Sequence, residues 1–360
     1  MKPKSFDSVL ITGGCGFYGS HIIRSLLEYE PTCTIYVLDI NITKQEFPTV
    51  SYYHCDVSRR ARVQEIFEQL QPRPRVVFHL VCPTSIIRND ERCRRVNIDG
   101  TRHILELSQR AGVKVFVYTS SSAVVHDNVS DLIEADETMP ILKPPHQKNV
   151  YTYSTAIAEE EVLAANRTGG MLTVALRPCS TFGPDNPEYM GRLVELCKNN
   201  KARFQMGKNN LWDFVYVVNV AHACLLAAER LLLASGNAPL PDGQRVEGEI
   251  FNITDGERMN FWDFTLAVSA AMGKPVQQKD IRKITQIVAL IFFSEWGVSL
   301  FSLGRKQSNM ARDGVISAYI QRTLNINKAK NVLGYYPIVS LRDGIQESVD
   351  WYMNHNKEKW

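Results

Sequence analysis

Glycines recur at short spacing near the start of the chain, in residues 12–19, TGGCGFYG. An apolar run at residues 9–11 precedes them, and apolar residues at helical spacing follow. We therefore expect a tight turn between a buried strand and an amphipathic helix. In such a turn Gly14 and Gly16 let the backbone approach a pyrophosphate, and Gly19 lets the helix pack closely on the strand. The N–H groups at the helix start would face the phosphate charge, so this stretch predicts a dinucleotide-binding loop.

An acidic residue follows the next predicted strand. Residues 35–39, IYVLD, read as a strand that ends in Asp39, which lies twenty residues after Gly19. A carboxylate at this place accepts hydrogen bonds from the adenosine ribose and would repel a 2′-phosphate, so NAD(H) is favoured over NADP(H). The alternative is a solvated Asp at a strand end. The predicted cofactor site also includes the loop residues Gly13, Phe17 and Tyr18.

Hydroxyl side chains collect at two other places. Residues 113–122, VKVFVYTSSS, predict a fifth strand that ends in a run of hydroxyls. Tyr151 and Thr155 lie four residues apart, hence on one face of a predicted helix that ends before residue 169. In an open parallel sheet the ligand crevice lies beyond the carboxyl ends of the strands, so the hydroxyls of residues 119–122 are expected beside a bound ligand. A Ser-rich strand end is also common in a simple turn.

Strands and helices alternate through the first half of the chain. This alternation predicts an α/β fold, a Rossmann-type doubly wound parallel sheet. Two residues near the predicted third and fourth strands have alternative interpretations. Asp56 can hydrogen-bond an adenine amino group, cap the helix predicted over residues 60–70, or do both. His79, inside the strand predicted over residues 75–81, is expected to be a satisfied core histidine rather than a catalyst.

Composition limits the classes of function. The chain has 360 residues, of which 44% are hydrophobic, enough for one large α/β domain or a core with a cap. Its net charge is +3 without a basic block, so no nucleic-acid partner is expected. Eight scattered cysteines form neither a CxxC pair nor a Cys/His metal spacing, so we predict no metal site and a reducing compartment. The N-terminus has no apolar core of a secretory signal, which favours a cytoplasmic location.

We expect two parts in the chain. Residues 1–180 would form mainly the NAD-binding core, and residues 181–360 mainly a smaller C-terminal substrate-binding cap, with residues 249–253 returning to the core. The segment 284–303 has 20 residues and one charge, Glu295. That length allows a bilayer span, although Glu295 and Gly297 at mid-segment argue against one. Three roles stay open: a lid or pocket wall, a membrane-surface element, and a span.

These stretches together resemble the extended short-chain dehydrogenase/reductases. They are most similar to the 3β-hydroxysteroid dehydrogenases and the decarboxylating sterol-4α-carboxylate 3-dehydrogenases. The matching stretches follow the family's order: residues 12–19, Asp39, Asp56-Val57, 97–101, 117–121, 176–178 with 182–184, 213–222, 251–254 and 328–337. The resemblance implies a biosynthetic enzyme that uses NAD to oxidise a hydrophobic steroid- or terpenoid-like alcohol, or runs the reverse. It adds Val57, Tyr151 and Pro178 to the cofactor site. It also leaves open a homodimer and an association with the endoplasmic-reticulum membrane.

The resemblance assigns three catalytic positions. In the family a Ser binds the substrate oxygen, a Tyr transfers its proton, and a Lys four residues later binds the nicotinamide ribose and lowers the pKa of the Tyr. In this sequence the Ser is Ser121, with Ser122 as an adjacent alternative, and the Tyr is Tyr151. The Lys is absent, because Thr155 occupies its place.

The missing Lys has a chemical consequence. A Tyr with an ordinary pKa of about 10 is almost wholly protonated at neutral pH. It is then a poor base for alcohol oxidation but still an acid for ketone reduction. Moving the motif to Tyr153 does not help, since Ile157 would take the Lys position; Lys148 or His146 could supply a cation through the fold. Three functions stay open: a dehydrogenase or reductase, a redox-neutral isomerase, lyase or cyclase on the same fold, and a cofactor-binding protein without catalysis.

Overall fold

The computed structural model describes residues 6–43, 45–83, 90–186, 189–205, 210–283 and 318–355. The segment 284–303 lies outside these ranges, so its three interpretations stay predictions. In chain order the strands are β1 (Ser8–Thr12), β2 (Thr34–Asp39), β3 (Ser51–His54), β4 (Val76–His79), β5 (Val115–Thr119), β6 (Leu132–Ala135), β7 (Leu172–Pro178), β8 (Ser180–Phe182), β9 (Phe204–Gln205), β10 (Leu211–Tyr216), β11 (Glu249–Ile253), β12 (Arg258–Asn260), β13 (Arg282–Lys283) and β14 (Arg322–Leu324). The helices are α1 (Phe17–Tyr29), α2 (Arg60–Gln69), α3 (Asp90–Arg94), α4 (Thr101–Ala111), α5 (Val150–Ala164), α6 (Met190–Lys198), α7 (Val217–Ala234), α8 (Phe261–Ala271) and α9 (Leu341–His355).

A seven-stranded parallel sheet forms the centre of the fold, in the order β11-β7-β5-β4-β1-β2-β3. Strands β1, β4 and β7 are buried along their whole length, as expected for parallel strands that are covered on both faces. The strand order reverses beside β1. In open parallel sheets the ligand crevice lies beyond the carboxyl ends of the strands at such a point. This architecture confirms the predicted doubly wound sheet.

Alternate residues of β1 point into two separate cores. Val9 and Ile11 pack with the apolar side chains of α1 and α7, whereas Leu10 packs with those of α2, α4 and α5. The period of two along a strand explains this division. Each helix therefore needs only one apolar stripe, and the helices on both faces hold the crevice edge in place.

A smaller sheet stands beside the crevice, with the order β12-β10-β14-β6 and with β8 paired to β10. Helices α6, α8 and α9 surround its apolar side, where the Phe214 and Phe264 rings stack with centroids 4.1 Å apart. Strand β6 comes from the first half of the chain, and β14 comes from near its end. The smaller sheet thus joins both halves, and the division at residue 180 stays a prediction.

Helix α7 is the one helix of the described ranges that is long and apolar enough to cross a membrane. Of its residues, 61% are buried inside the fold. They pack with α1 and the central sheet in the core that contains Val9 and Ile11. The apolar character of α7 is accounted for by this packing.

Candidate active site

The loop between β1 and α1 has the tight geometry that its glycines predict. Gly13 has a φ of +75°, a conformation that favours glycine, and its carbonyl accepts the N–H of Gly16 at 3.1 Å. A Cβ on Gly19 would lie 2.4 Å from that carbonyl oxygen, so no side chain fits there. Helix α1 begins at Phe17 with neither a capping side chain nor an acid in its first turn. No side chain of the loop neutralises the positive end of the helix dipole.

Asp39 is fixed beside this loop at the end of β2. Its Oδ2 accepts the N–H of Cys15 at 3.0 Å, and its Oδ1 accepts the N–H of Asn41 at 2.9 Å. Each carboxylate oxygen can accept a second hydrogen bond. The carboxylate of Asp39 can therefore still accept hydrogen bonds from a ligand with two neighbouring hydroxyls.

Three more of the predicted cofactor residues lie around the same crevice. Phe17 and Tyr18 open α1, with their ring centroids 5.4 Å apart. The Tyr18 hydroxyl donates to Thr181 Oγ1 at 2.7 Å and joins α1 to strand β8. Pro178 is the last residue of β7, pairs with Ile253 and is buried. Burial raises the pKa of Tyr18, so its hydroxyl keeps its proton.

Asp56 and Val57 follow β3 at this edge. Asp56 Oδ1 accepts the N–H and the hydroxyl of Ser58 at 3.0 and 2.7 Å. Helix α2 is preceded by Arg59 and has no side-chain cap. The helix-cap interpretation of Asp56 is therefore wrong, because the carboxylate closes the local turn instead; its contact with adenine stays a prediction. Val57 is buried against Gly100, where a Cβ would meet it at 2.7 Å.

His79 lies fully buried in β4 between two threonines. The Nδ1 to Thr12 Oγ1 distance is 2.7 Å, and the Nε2 to Thr101 Oγ1 distance is 2.9 Å. Thr101 already donates its hydroxyl proton to the carbonyl of Asn97 at 2.5 Å, so it must accept from Nε2–H. Burial lowers the pKa of His79 to about 3. His79 is a neutral core histidine, as predicted.

We expect His79 to stay neutral where an ordinary histidine titrates. Its pKa is about 3 in the folded chain and about 6.5 when unfolded, so the unfolded chain binds more protons between these values. This residue therefore lowers the free energy of unfolding as pH falls through that window. Nitrogen NMR of the ring from about pH 8 to about pH 5 should show one proton, on Nε2, throughout. A titration midpoint near the ordinary value would contradict this assignment.

Tyr151 and Thr155 lie in the first turns of α5, which Asn149 caps by accepting the N–H of Thr152 at 3.4 Å. Tyr151 is half-buried, and Thr155 is 2% exposed. The Thr155 hydroxyl donates to the carbonyl of Tyr151 at 2.8 Å and lies 3.9 Å from Cys82 Sγ. Thr155 is thus turned back onto its own helix, a common arrangement for helical threonine. It brings no charge to the Tyr151 hydroxyl.

Asn97 holds the start of α5 from the opposite side. It sits in a π-helical turn, Arg95–Gly100, and its Nδ2 donates to Ser154 Oγ at 2.9 Å. Ser154 in turn donates to the carbonyl of Tyr151 at 3.1 Å. The Asn97 Oδ1 is buried without a hydrogen-bond partner. Asn97 thus ties two neighbouring segments together.

Ser121 lies two residues after the end of β5, within the run of hydroxyls. Its Oγ accepts the N–H of Ala123 at 3.2 Å and caps a short turn, Ser122–Val125. Ser121 is half-buried, whereas Ser122 is 2% exposed. Because Oγ of Ser121 acts as the acceptor here, its own O–H can donate to a ligand in the crevice. This favours Ser121 over Ser122.

The other residues that the sequence suggests as a source of a proton or a cation lie away from the Tyr151 hydroxyl or in solvent. Tyr153 is buried beneath Arg94, whose guanidinium carbon lies 5.4 Å from the ring centroid. His146 and Lys148 are exposed in the turn before α5. Solvent screens charges at such positions, so neither replaces a buried lysine.

A buried ion pair behind the site was missed. Glu159 is 0% exposed; its Oε2 accepts Arg177 Nε at 2.9 Å and the Ser120 hydroxyl at 2.6 Å. Three consecutive glutamates, residues 159–161, are most simply interpreted from sequence as a solvated face of the helix, and this interpretation is wrong for Glu159. Helical periodicity could have found it, since residue 159 lies four positions after Thr155 and shares its face.

Arg322 was missed as well. It lies on β14 with its guanidinium carbon 5.7 Å from the centroid of the Trp212 ring. Burial lowers the pKa of Arg322, and ionisation of Cys179 or Tyr151 would oppose that shift. The sequence carries no local signal for this position, because β14 reaches the site only by pairing with β6 and β10.

Residues 10–283 match the family described as the 3-beta hydroxysteroid dehydrogenase/isomerase family. The decarboxylating sterol-4-alpha-carboxylate 3-dehydrogenase of Schizosaccharomyces pombe is 35% identical over 98% of this chain and 99% of that protein. The mouse (Mus musculus) protein of that name is 30% identical over 97% of this chain and 92% of its own length.

Among solved structures, dTDP-glucose 4,6-dehydratase of Bacillus anthracis in complex with NAD superposes with a TM-score of 0.69 at 21% identity, covering 98% of both chains. UDP-glucose 4-epimerase of Thermus thermophilus with NAD gives 0.69 at 23% identity, covering 97% of this chain and 99% of that one. At such identities these likenesses show the fold.

Proposed function

The chain belongs to the 3-beta hydroxysteroid dehydrogenase/isomerase family, and from this premise we propose that it oxidises the secondary alcohol of a sterol-type substrate with NAD. Membership confirms the predicted resemblance. One observation carries the proposal. A Cβ on Gly13 would touch the backbone of Val81 at 3.3 Å, and the next residue, Cys82, contacts Thr155. Val81 and Cys82 therefore lie between the predicted cofactor loop and the predicted catalytic helix and bring the two close together.

The loop suits a dinucleotide. The start of α1 has no acid and no side-chain cap to compete with a pyrophosphate, and Gly19 leaves the space that a phosphate-binding turn needs. The carboxylate of Asp39 suits the adenosine ribose. When bound, the nicotinamide would accept a hydride from the alcohol carbon.

Two hydroxyl side chains at the crevice bind the substrate oxygen and transfer its proton. Ser121 donates a hydrogen bond to the substrate oxygen. Tyr151 first loses its own phenolic proton to solvent, and the phenolate then takes the alcohol proton. The alcohol carbon loses a hydride, so a ketone forms. If the neighbouring carbon carries a carboxylate, as the names of the relatives indicate for their substrates, the bond to CO2 can then break. Its electron pair enters an enolate, which a solvent proton quenches.

A redox-neutral reaction is the second candidate, and Thr155 is the observation that favours it. Without a lysine, Tyr151 remains a better proton donor than proton acceptor at neutral pH. An isomerisation, elimination or cyclisation needs no net hydride transfer. Turnover that persists after the cofactor is removed would support this candidate.

Calorimetric binding of NAD(H) and NADP(H) tests the cofactor assignment. We expect wild-type protein to bind NAD(H) at least ~10-fold more tightly than NADP(H). When NADP(H) binds, its ribose loses the hydrogen bond to the Asp39 carboxylate, and the carboxylate repels the 2′-phosphate. Asp39→Asn should bring the two affinities within a few-fold of each other. Thr155→Lys should tighten NAD(H) binding by adding a ribose contact.

The outcomes separate the candidates. A preference for NADP(H) would contradict the role of Asp39. Binding by Thr155→Lys but not by the wild type would show that the cofactor site has decayed, and would favour the redox-neutral reaction. Formation of NADH in step with ketone would remove that alternative.

The other partners are inferred from the family resemblance and from the apolar segment 284–303. We infer an apolar substrate, and we keep membrane-surface contact through residues 284–303 and an endoplasmic-reticulum location as proposals. A homodimer through α4 and α5 is also a proposal. On the outer faces of these helices, Arg102 pairs with Glu161, so a partner surface there would have to be polar.

A further inference from the structure

Arg322 differs from the other shielded arginines of the site region. Arg177 is paired with Glu159, and Arg258 is paired with Asp213 and Glu134. Within the described ranges no carboxylate lies within ion-pair distance of Arg322, and its Nε is shielded from solvent without a hydrogen-bond partner. An arginine nitrogen is seldom shielded from solvent without a partner. An anion that is not part of these ranges would satisfy it.

The frame around Arg322 is rigid. The N–H of Gln321 donates to Asp131 Oδ1 at 2.8 Å, and the N–H of Leu324 donates to Asp213 Oδ2 at 2.6 Å. The Trp212 ring beneath the guanidinium is itself held, because its Nε1 donates to Ser180 Oγ at 2.6 Å. A guanidinium fixed in this way loses little further entropy when it binds a ligand.

A chain of contacts leads from β14 to the start of α5. Arg322 pairs with Leu132 of β6 and acts electrostatically on His126. Gln147 donates to the carbonyl of His126 at 2.6 Å and accepts the N–H of Asn149 at 2.9 Å. Asn149 caps the helix whose first turn holds Tyr151. Arg322 on β14 and Tyr151 in the first turn of α5 are thus connected through neighbouring elements, and Tyr151 acts electrostatically on Arg322.

We propose that Arg322 binds a carboxylate that the substrate carries on the carbon next to the alcohol. This rests on the proposed function, in which Tyr151 takes the proton of that alcohol. The two terminal nitrogens of a guanidinium form a fork that matches both oxygens of a carboxylate. A carboxylate and a guanidinium are each costly to desolvate alone, so each supplies the partner that the other lacks. Arg322 then selects carboxylated substrates over neutral ones of the same shape.

The test compares a 4α-carboxysterol with its methyl ester, which keeps the shape and removes the charge. Binding is measured by calorimetry, and turnover by NADH formation. We expect Arg322→Gln to weaken binding and raise KM of the acid by ~10–100-fold, because a hydrogen-bonded ion pair is lost. The ester should change by no more than ~3-fold. Arg322→Lys should fall between the two, since it keeps the charge without the fork.

Arg110→Gln is the matched control. It also removes one positive charge from the chain, but Arg110 is exposed on α4 beside Glu106, at the amino edge of the sheet and away from the crevice. Arg110→Gln should leave the binding and turnover of both the acid and the ester unchanged.

Equal losses for acid and ester, with the pH profile of kcat moved to higher pH, would overturn the proposal and show that Arg322 acts on Tyr151 instead. Unchanged affinity for the acid in Arg322→Gln would overturn it too. Failure of the proposed function looks different: wild-type protein would form no NADH from either ligand. Binding of the acid in an Arg322-dependent manner would still support the anion site.

Discussion

Tyr151→Phe is expected to lower kcat for alcohol oxidation by about 10²–10⁴-fold, the usual contribution of a general acid–base group. Phenylalanine keeps the ring in the first turn of α5 and removes the only atom that exchanges the proton. Affinity for NAD(H) should change by a few-fold at most, since the loop at residues 12–19 and Asp39 are untouched. NADH formation measures the first quantity, and calorimetry measures the second.

Tyr153→Phe is the matched control for this experiment. Tyr153 lies two residues further along α5, buried beneath Arg94, so its hydroxyl does not serve the crevice. Its loss should leave kcat unchanged. If Tyr151→Phe turned over at the wild-type rate, Tyr151 would not be the proton-transfer group, and the assignment of α5 as the catalytic helix would be wrong.

Glu159→Ala is expected to lower the free energy of unfolding by about 3–5 kcal/mol, because it leaves a buried charge without its partner. Arg177 is 1% exposed and its Nη1 already lacks a hydrogen-bond partner, and among the described residues no second carboxylate pairs with it. The Ser120 hydroxyl loses its acceptor as well. Urea denaturation, followed by fluorescence, measures the effect.

The next residue supplies the control. Glu160 pairs with Lys143, but both side chains are 44% exposed, and such surface pairs contribute about 0–1 kcal/mol. Glu160→Ala should therefore unfold at nearly the wild-type urea concentration. Similar losses in the two variants would mean that the buried pair is no more important than a surface one.

The central sheet was predictable because its signals are local. Apolar runs mark β1, β4, β5 and β7, and the glycines of residues 12–19 require a turn whatever the rest of the chain does. The smaller sheet was not predictable. Strands β6, β8 and β14 have three or four residues each, too few for a periodic pattern, and their partners lie far away in the sequence.

The same distinction applies to the site. The loop and Asp39 followed from spacing, whereas the roles of Ser121 and Tyr151 came from family resemblance and stay predictions. Glu159 was misread because three consecutive glutamates suggest a solvated surface, although burial is decided by which side of α5 each one faces. The position of Arg322 depends wholly on strand pairing between segments that are distant in the sequence. No neighbouring residue in the sequence therefore indicates its role.

The pairing of β6 with β14 also sets the order in which the protein can assemble during synthesis. Glu134 and Thr323, which are hydrogen-bonded across these strands, are 189 residues apart. Contacts between such distant segments form slowly and late, and chains emerge from the ribosome N-terminal end first. The glycine loop and most of the central sheet are therefore synthesised before β14 exists. A nascent chain, or one cut before residue 318, would contain the cofactor loop but not Arg322, and the unpaired edge of β6 would be open to association with other strands.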